Sequence, residues 1–275
     1  MVTIRPSDLP DFSDPPVIET VLSVQFDQLS ELRVAHFGLY WNEIRNRFPK
    51  TEEHGELPAQ IEQPPGTPQP IVGIQFEALE APPIPRVWFV DEEGTQLIQV
   101  QRDRFIKNWR KVGVGDLYPR YEQVRAGFDQ DFNDFSQFVS RNQLGSIRVN
   151  QYEVTYINHI VSGKGKGWET HADIGKVFTA WQQPPSTFPG QAQDVAFRAR
   201  FPISDSMNGF FGRLHVTVQP VKRISDGQPM FLFELTARGL IGEGSDFFNL
   251  GRKWIVHSFA ELTTPAMHEV WGRRK

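Results

Sequence analysis

The sequence predicts an α+β fold with a mainly antiparallel sheet, built from hairpins and packed against two or three amphipathic helices. Segments that alternate apolar and polar residues occur in groups, as in hairpins, and only a few helical patterns interrupt them. The chain has 275 residues, of which 39% are hydrophobic, so it can bury a sizeable core. It has no cysteine, which excludes disulfides, zinc–thiolate sites and thiol nucleophiles.

The first elements are a strand and a helix. Residues 17–26 alternate over their second half and predict the strand. Ser30 is the predicted N-cap of a helix that runs to about Phe48, where Pro49 ends it. Residues 50–85 are rich in Pro and Glu, so we expect a surface excursion with one strand, 71–79, inside it.

The middle of the chain predicts a hairpin and a long helix. Residues 86–110 predict two strands joined by a tight turn at 91–94. The helix, from about 118 to 141, has apolar residues at intervals of three or four: Tyr121, Val124, Phe128, Phe132, Phe135 and Phe138. Such a stripe can line a ligand cavity, but it is more typical of a helix packed on a sheet, which we expect here.

The second half repeats strands and then helices. Residues 146–160 predict a long strand, and residues 162–167 a flexible glycine-rich loop. A short helix or loop at 172–181 precedes three strands and two helices, predicted at 195–203, 214–221, 230–240, 246–262 and 264–271. The loop marks a boundary between halves 1–162 and 168–275, unless the two form one continuous domain.

The best binding-site candidate is the polar end of the 86–110 hairpin. It holds amides and guanidinium groups that can bind a carboxylate, a phosphate or an acidic surface: Gln99, Gln101, Arg102, Arg104, Asn108 and Arg110. If one strand continues through all of them, Gln99 and Gln101 share one face and Arg102, Arg104 and Asn108 the other. The alternative is a hairpin end whose polar groups bind nearby backbone.

Catalytic and metal-binding motifs are absent from the sequence. Residues 163–167 alternate Gly and Lys but lack the spacing of a P-loop. His257 and Glu261 have helical i, i+4 spacing, which suits a half-buried structural histidine better than a metal ligand. We therefore predict no metal and no cofactor, name no catalytic residue, and favour binding over catalysis.

Charge and hydropathy bear on partners and location. The formal net charge of −4 disfavours a polyanion such as DNA. A local basic tract is present in Arg102, Arg104, Lys107, Arg110 and Lys111, with three more basic residues at 273–275. No leader sequence or long apolar run is present, so we expect a cytoplasmic protein without a membrane partner.

Three segments carry a resemblance to a known family. They are PPVIE at 15–19, QVQRDRFIKNWR at 99–110, and WIVHSF at 254–259 with LTTPAMHEVWGR at 262–273. The chain resembles an uncharacterised, sporadically distributed bacterial family of conserved hypothetical proteins of about 250 residues. A sporadic distribution implies an accessory role, such as phage defence or a toxin–antitoxin pair, but no catalytic residue.

The leading hypothesis is a non-enzymatic protein-interaction or immunity-like accessory protein. Its partner would be another protein, bound through the sheet surface and the terminal helix, where we expect His268 and Trp271 to be exposed. One alternative is a small-ligand-binding or hydrolytic domain with a cavity between a curved sheet and the phenylalanine-striped helix. A second is nucleic-acid binding through the basic tract. The sequence does not predict the oligomeric state.

Overall fold

The protein is described here from a computed structural model that covers residues 8–67, 84–113, 115–182, 187–188, 190, 192–205, 209–240 and 246–275. The strands are β1 (Val17–Phe26), β2 (Lys50–His54), β3 (Arg86–Val90), β4 (Gln96–Gln101), β5 (Arg104–Arg110), β6 (Val149–Val161), β7 (Phe197–Asp205), β8 (Gly209–Lys222) and β9 (Pro229–Gly239). The helices are α1 (Val34–Ile44), α2 (Tyr121–Arg141), α3 (Ile174–Val177), α4 (Phe247–Leu262) and α5 (Pro265–Val270), with a 3₁₀ turn (His171–Asp173) before α3.

All of these strands belong to one antiparallel sheet, in the order β2-β3-β4-β5-β1-β6-β9-β8-β7. This confirms the predicted α+β class. The first strand, β1, lies at the centre, between β5 and β6. The pairing of β6 with β9 joins the two predicted halves, 1–162 and 168–275, in that sheet.

The helices pack on one face of the sheet. Helix α2 lies against β1 and β5, and α4 lies against β6 and β9. The aromatic stripe of α2 packs on the sheet as predicted, with the rings of Phe135 and Phe105 stacked at 5.3 Å. We call the opposite face of the sheet the open face.

Helix α1 begins later than predicted. Its N-cap is Arg33 rather than Ser30, and the Arg33 N–H donates to His36 Nδ1 at 2.9 Å. The reason is that Leu29 and Leu32 are buried in the core, which holds residues 29–32 in a turn before the helix can start. The predicted strand at 71–79 lies outside the described residues.

Segment 86–110 contains three strands where two were predicted. Beyond the expected turn at 91–94, a second turn at Arg102 and Asp103 separates β4 from β5. None of the described helices is both long and apolar enough to cross a membrane.

Candidate functional site

The second turn decides which side chains share a face. Because β4 and β5 are antiparallel neighbours, Gln101 lies opposite Arg104, and opposite residues project to the same side of a sheet. Five of the six predicted site residues therefore lie on the open face: Gln99, Gln101, Arg104, Asn108 and Arg110. The prediction that Gln99 and Gln101 are separated from Arg104 and Asn108 is wrong, because it assumed one uninterrupted strand.

Arg102 is the exception, because it lies in the turn itself. Its guanidinium donates to the carbonyl oxygens of Leu29 at 3.4 Å and Ser30 at 3.2 Å. It thus holds the chain before α1 and does not join the other five residues.

Four polar side chains form a row across neighbouring strands of the open face. The pairing register aligns Gln101 of β4, Arg104 of β5, Gln25 of β1 and Gln151 of β6. We call these four residues the polar row. Each is at most 8% exposed, although all four belong to residue types that usually reach water.

An extended segment without regular secondary structure, residues 56–63, lies over the polar row. We call it the strap. Gln101 binds its backbone twice, since Oε1 accepts from the Leu57 N–H at 3.0 Å and Nε2 donates to the Leu57 carbonyl at 2.9 Å. Gln25 Oε1 accepts from the Gln60 N–H at 3.0 Å, and Gln151 Oε1 accepts from the Glu62 N–H at 2.6 Å.

Arg104 is a buried cation held by neutral groups. It donates to Gln25 Oε1 at 2.5 Å and to the Pro58 carbonyl at 3.0 Å. No carboxylate of the described residues lies within ion-pair distance of it, and its Nε is buried without a partner. Burial lowers the pKa of Arg104, which reflects the energetic cost of holding this charge away from water.

At the end of the strap, the Glu62 carboxylate meets a basic cluster on β8 and β9. Its oxygens lie 2.5 Å from Arg213, 2.6 Å from His215 Nε2 and 3.3 Å from Arg238. Burial by itself raises the pKa of Glu62, but the hydrogen bonds and charges of His215, Arg213 and Arg238 outweigh it and hold the pKa below its ordinary value.

The basic cluster continues into an open groove of about 410 Å³ beside the strap. Its far wall is β7, which presents Arg198 and Arg200, both exposed. Neither arginine has an ion-pair partner among the described residues. Within the described part of the chain, the groove therefore offers two guanidinium groups without an ion-pair partner, next to a site that already binds a carboxylate.

Gln99 and Asn108 belong to a separate internal network. Gln99 donates to Asn108 at 2.8 Å, and Asn108 donates to Glu19 of β1 at 2.5 Å. Burial raises the pKa of Glu19, although the Asn108 hydrogen bond opposes the rise. Arg110 donates to the Gly94 carbonyl at 2.7 Å, so these residues chiefly satisfy one another and nearby backbone.

The predicted basic tract does not form one surface. Lys107 projects to the helical face, where its ammonium group pairs with the buried carboxylate of Asp131 on α2. Arg104 lies under the strap, and Arg273 donates to His268 at 2.9 Å. Alternation along β5 thus sends neighbouring cations to opposite sides of the sheet.

The prediction that His268 and Trp271 are exposed is wrong. His268 is 6% and Trp271 is 5% exposed. The segment before β1 covers them, with the Phe12 ring 5.4 Å from His268 and 6.2 Å from Trp271. They cannot form a partner surface while that segment is in place.

One cavity lies between the sheet and α4, but it is small. Its volume is about 50 Å³, and it lies beside Tyr121, Asn158 and Arg252. Each water molecule needs roughly 10–15 Å³ of such space, and small-molecule pockets usually measure about 300–1,000 Å³. The cavity therefore has room for a few water molecules. The stripe of α2, expected as an alternative cavity wall, is packed against β5.

The described residues contain no group of three or more His, Asp or Glu residues that could hold a metal ion. His257 is half-buried on α4, as its spacing predicted.

Most residues of this site were not predicted from the sequence: Glu62 of the strap itself, and Gln25, Gln151, Arg213 and Arg238, which contact the strap. These five residues come from separate parts of the chain. A signal was present in the long strands, where Arg198 and Arg200, and Arg213 and His215, alternate with apolar residues. Two-residue spacing of cations on a strand marks one face, but it does not identify the carboxylate that meets them.

Comparison with known proteins adds no identification. No protein-family model matches this chain, and no curated protein matches it.

Proposed function

We propose that this is a protein-interaction protein that binds another polypeptide on the open face of its sheet. The observation that carries this proposal is the strap: a stretch of extended chain is held there by side chains of the polar row, through its backbone groups. The face is thus a surface on which a polypeptide can be held.

The polar row supports the proposal on energetic grounds. A buried amide that loses its hydrogen-bond partner costs roughly 1–3 kcal/mol. The strap backbone is the hydrogen-bond partner of three such amides, those of Gln25, Gln101 and Gln151. The three glutamines lie on three of the four strands of the polar row, and a backbone above them, from this chain or from a partner, satisfies their amides while they are buried.

The charge of the groove indicates the kind of partner. Arg198 and Arg200 are exposed next to the cluster that binds Glu62, and guanidinium groups bind carboxylates through paired hydrogen bonds. An acidic polypeptide fits this surface better than a neutral or basic one. An accessory role, in phage defence or in a toxin–antitoxin pair, stays a prediction that follows from the family resemblance alone.

The test is affinity purification with variants of the open face. The full chain, the double variant Arg198→Glu/Arg200→Glu and the control Arg141→Glu are each used to capture proteins from host lysate. Arg141 is a suitable control because it is exposed at the end of α2, on the helical face. We expect at least one protein to bind the wild type and the control, and to be depleted roughly tenfold or more with the double variant. If no captured protein depends on the open face, the proposal is wrong.

A further inference from the structure

We infer that, in the free chain, the strap occupies the site that an extended, acidic segment of the partner protein occupies in the complex. This inference rests on the proposed function. Beyond that function, it specifies the partner segment: an extended backbone with a Glu or Asp side chain at the position of Glu62. It also implies that the chain's own strap competes with the partner for the site.

The backbone contacts of the strap do not select a sequence. Leu57, Gln60 and Glu62 are held through their N–H groups, and Leu57 and Pro58 through their carbonyl oxygens. Every residue has a carbonyl group, and every residue except proline has an N–H group. Another extended segment can therefore make the same contacts.

Selectivity lies in the Glu62 position. Its side chain is 8% exposed and meets Arg213, His215 and Arg238. If the strap leaves without a replacement, Arg213 and His215 lose the carboxylate that they contact, whereas Arg238 keeps its ion pair with Glu153. A carboxylate from the incoming segment restores the contacts of Arg213 and His215, so an acidic residue at this position is the main chemical requirement.

The strap is suited to leave because little apolar surface holds it. It forms no strand ladder, and most of its residues are exposed, including Ile61 at 47%. A segment with few buried apolar contacts opens at a lower free-energy cost than the sheet beneath it. The polar row, in contrast, is fixed on four hydrogen-bonded strands.

Tethering explains how the strap competes. A segment linked to its own site has an effective concentration on the order of 1 mM. A free peptide whose intrinsic Kd is about 0.1 mM then binds the wild type roughly tenfold more weakly than it binds a chain with an open strap. The partner must therefore bind more tightly than the isolated peptide, through further contacts such as those with Arg198 and Arg200.

The experiment uses a fluorescent peptide of residues 55–63, GELPAQIEQ, and the full-length chain. Binding is measured by anisotropy to the wild type and to Glu62→Lys, whose strap is repelled by Arg213 and Arg238. Glu53→Lys is the matched control, because Glu53 is exposed on β2 and makes no contact with the cluster. Circular dichroism checks the fold, and Glu62→Ala replaces Glu62→Lys if the latter is unfolded.

We expect the peptide to bind Glu62→Lys about tenfold more tightly than the wild type, with Glu53→Lys equal to the wild type. The peptide with Gln in place of Glu62, and with Glu56 unchanged, should bind the opened chain about tenfold more weakly. Equal peptide binding to all three proteins, or no binding, overturns the inference. If a partner is still captured through Arg198 and Arg200 in that case, the proposed function survives; if none is captured, both fail.

Discussion

The buried ion pair between Lys107 and Asp131 gives the sharpest prediction for the fold. Lys107 belongs to the tract that the sequence analysis considered for nucleic-acid binding, yet it is 4% exposed and Asp131 is 1% exposed. Gly127 of α2 makes room for it, since a Cβ there would lie 3.1 Å from Lys107 Cε. We predict that Asp131→Asn strongly destabilises the protein.

The magnitude follows from the surroundings of the lysine. In the variant, the Lys107 charge remains between β5 and α2, with the Phe48 ring 5.2 Å away and no carboxylate on Asp131 to balance it. Removal of one partner from a buried pair costs about 3–5 kcal/mol. Since a folded protein is stable by only about 5–15 kcal/mol, this is a large share of the total.

The assay is equilibrium unfolding in urea. Asp131 also pairs with Arg47, a second cation. Asp134→Asn is the matched control, because Asp134 pairs with Arg47 as well but its side chain is 32% exposed. An exposed pair contributes about 0–1 kcal/mol, so the control should change the free energy of unfolding little. Lys107→Met in the Asp131→Asn background should recover at least about 1 kcal/mol, because no buried charge is then left unpaired.

A cost of less than about 1 kcal/mol for Asp131→Asn, or one no larger than that of Asp134→Asn, would contradict a buried ion pair. So would a further loss of stability when Lys107→Met is added to Asp131→Asn. Either result would mean that Lys107 reaches solvent, and the basic tract would regain a surface role.

Two further predictions concern the strap and the C-terminal helix. Because the folded-state pKa of Glu62 is held below its ordinary value of 4.5, the carboxylate stabilises the fold above that pH, and the contribution is lost as the pH falls through the lowered pKa. The stability difference between the wild type and Glu62→Gln, roughly 1–2 kcal/mol at neutral pH, should therefore shrink in urea titrations below about pH 4, and a constant difference would contradict this assignment. Trp271→Ala should lower the free energy of unfolding by about 3–5 kcal/mol in the same titrations, because Trp271 is buried against Phe12 and Phe259. The control Leu117→Ala, at a residue that is 85% exposed, should change it little. Equal effects of the two substitutions would show that Trp271 is not a core residue.

Much of the fold could be predicted because its signals are local. Strand β1 has the predicted bounds, since alternation of apolar and polar residues over its second half marks a strand. The stripe of α2 follows from helical spacing and is buried as expected. Caps and turns were less predictable: Ser30 is a good N-cap by type, but the burial of Leu29 and Leu32 moved the start of α1 to Val34.

The candidate site was only partly predictable. The density of amides and guanidinium groups after Leu97 drew attention to Gln101 and Arg104, which lie under the strap. Their relation to each other was predicted wrongly, because the turn at Arg102 and Asp103 contains no Gly, Pro or Asn, and Asp103 is its one residue of a type common in turns. This weakly marked turn reverses the direction of the chain and brings both residues to one face.

By itself, the sequence determined the fold class, the amphipathic faces and the absence of cysteine chemistry, because these depend on composition and on neighbours a few residues apart. The tertiary structure decided which polar residues meet. Glu62 reaches Arg213, which is 151 residues away in sequence, only because β8 and β9 join the sheet next to β6. It also decided that Trp271 is core, since Phe12 from the other end of the chain covers it. Strand order and chain-end packing depend on contacts across the whole sheet, and local patterns do not specify them.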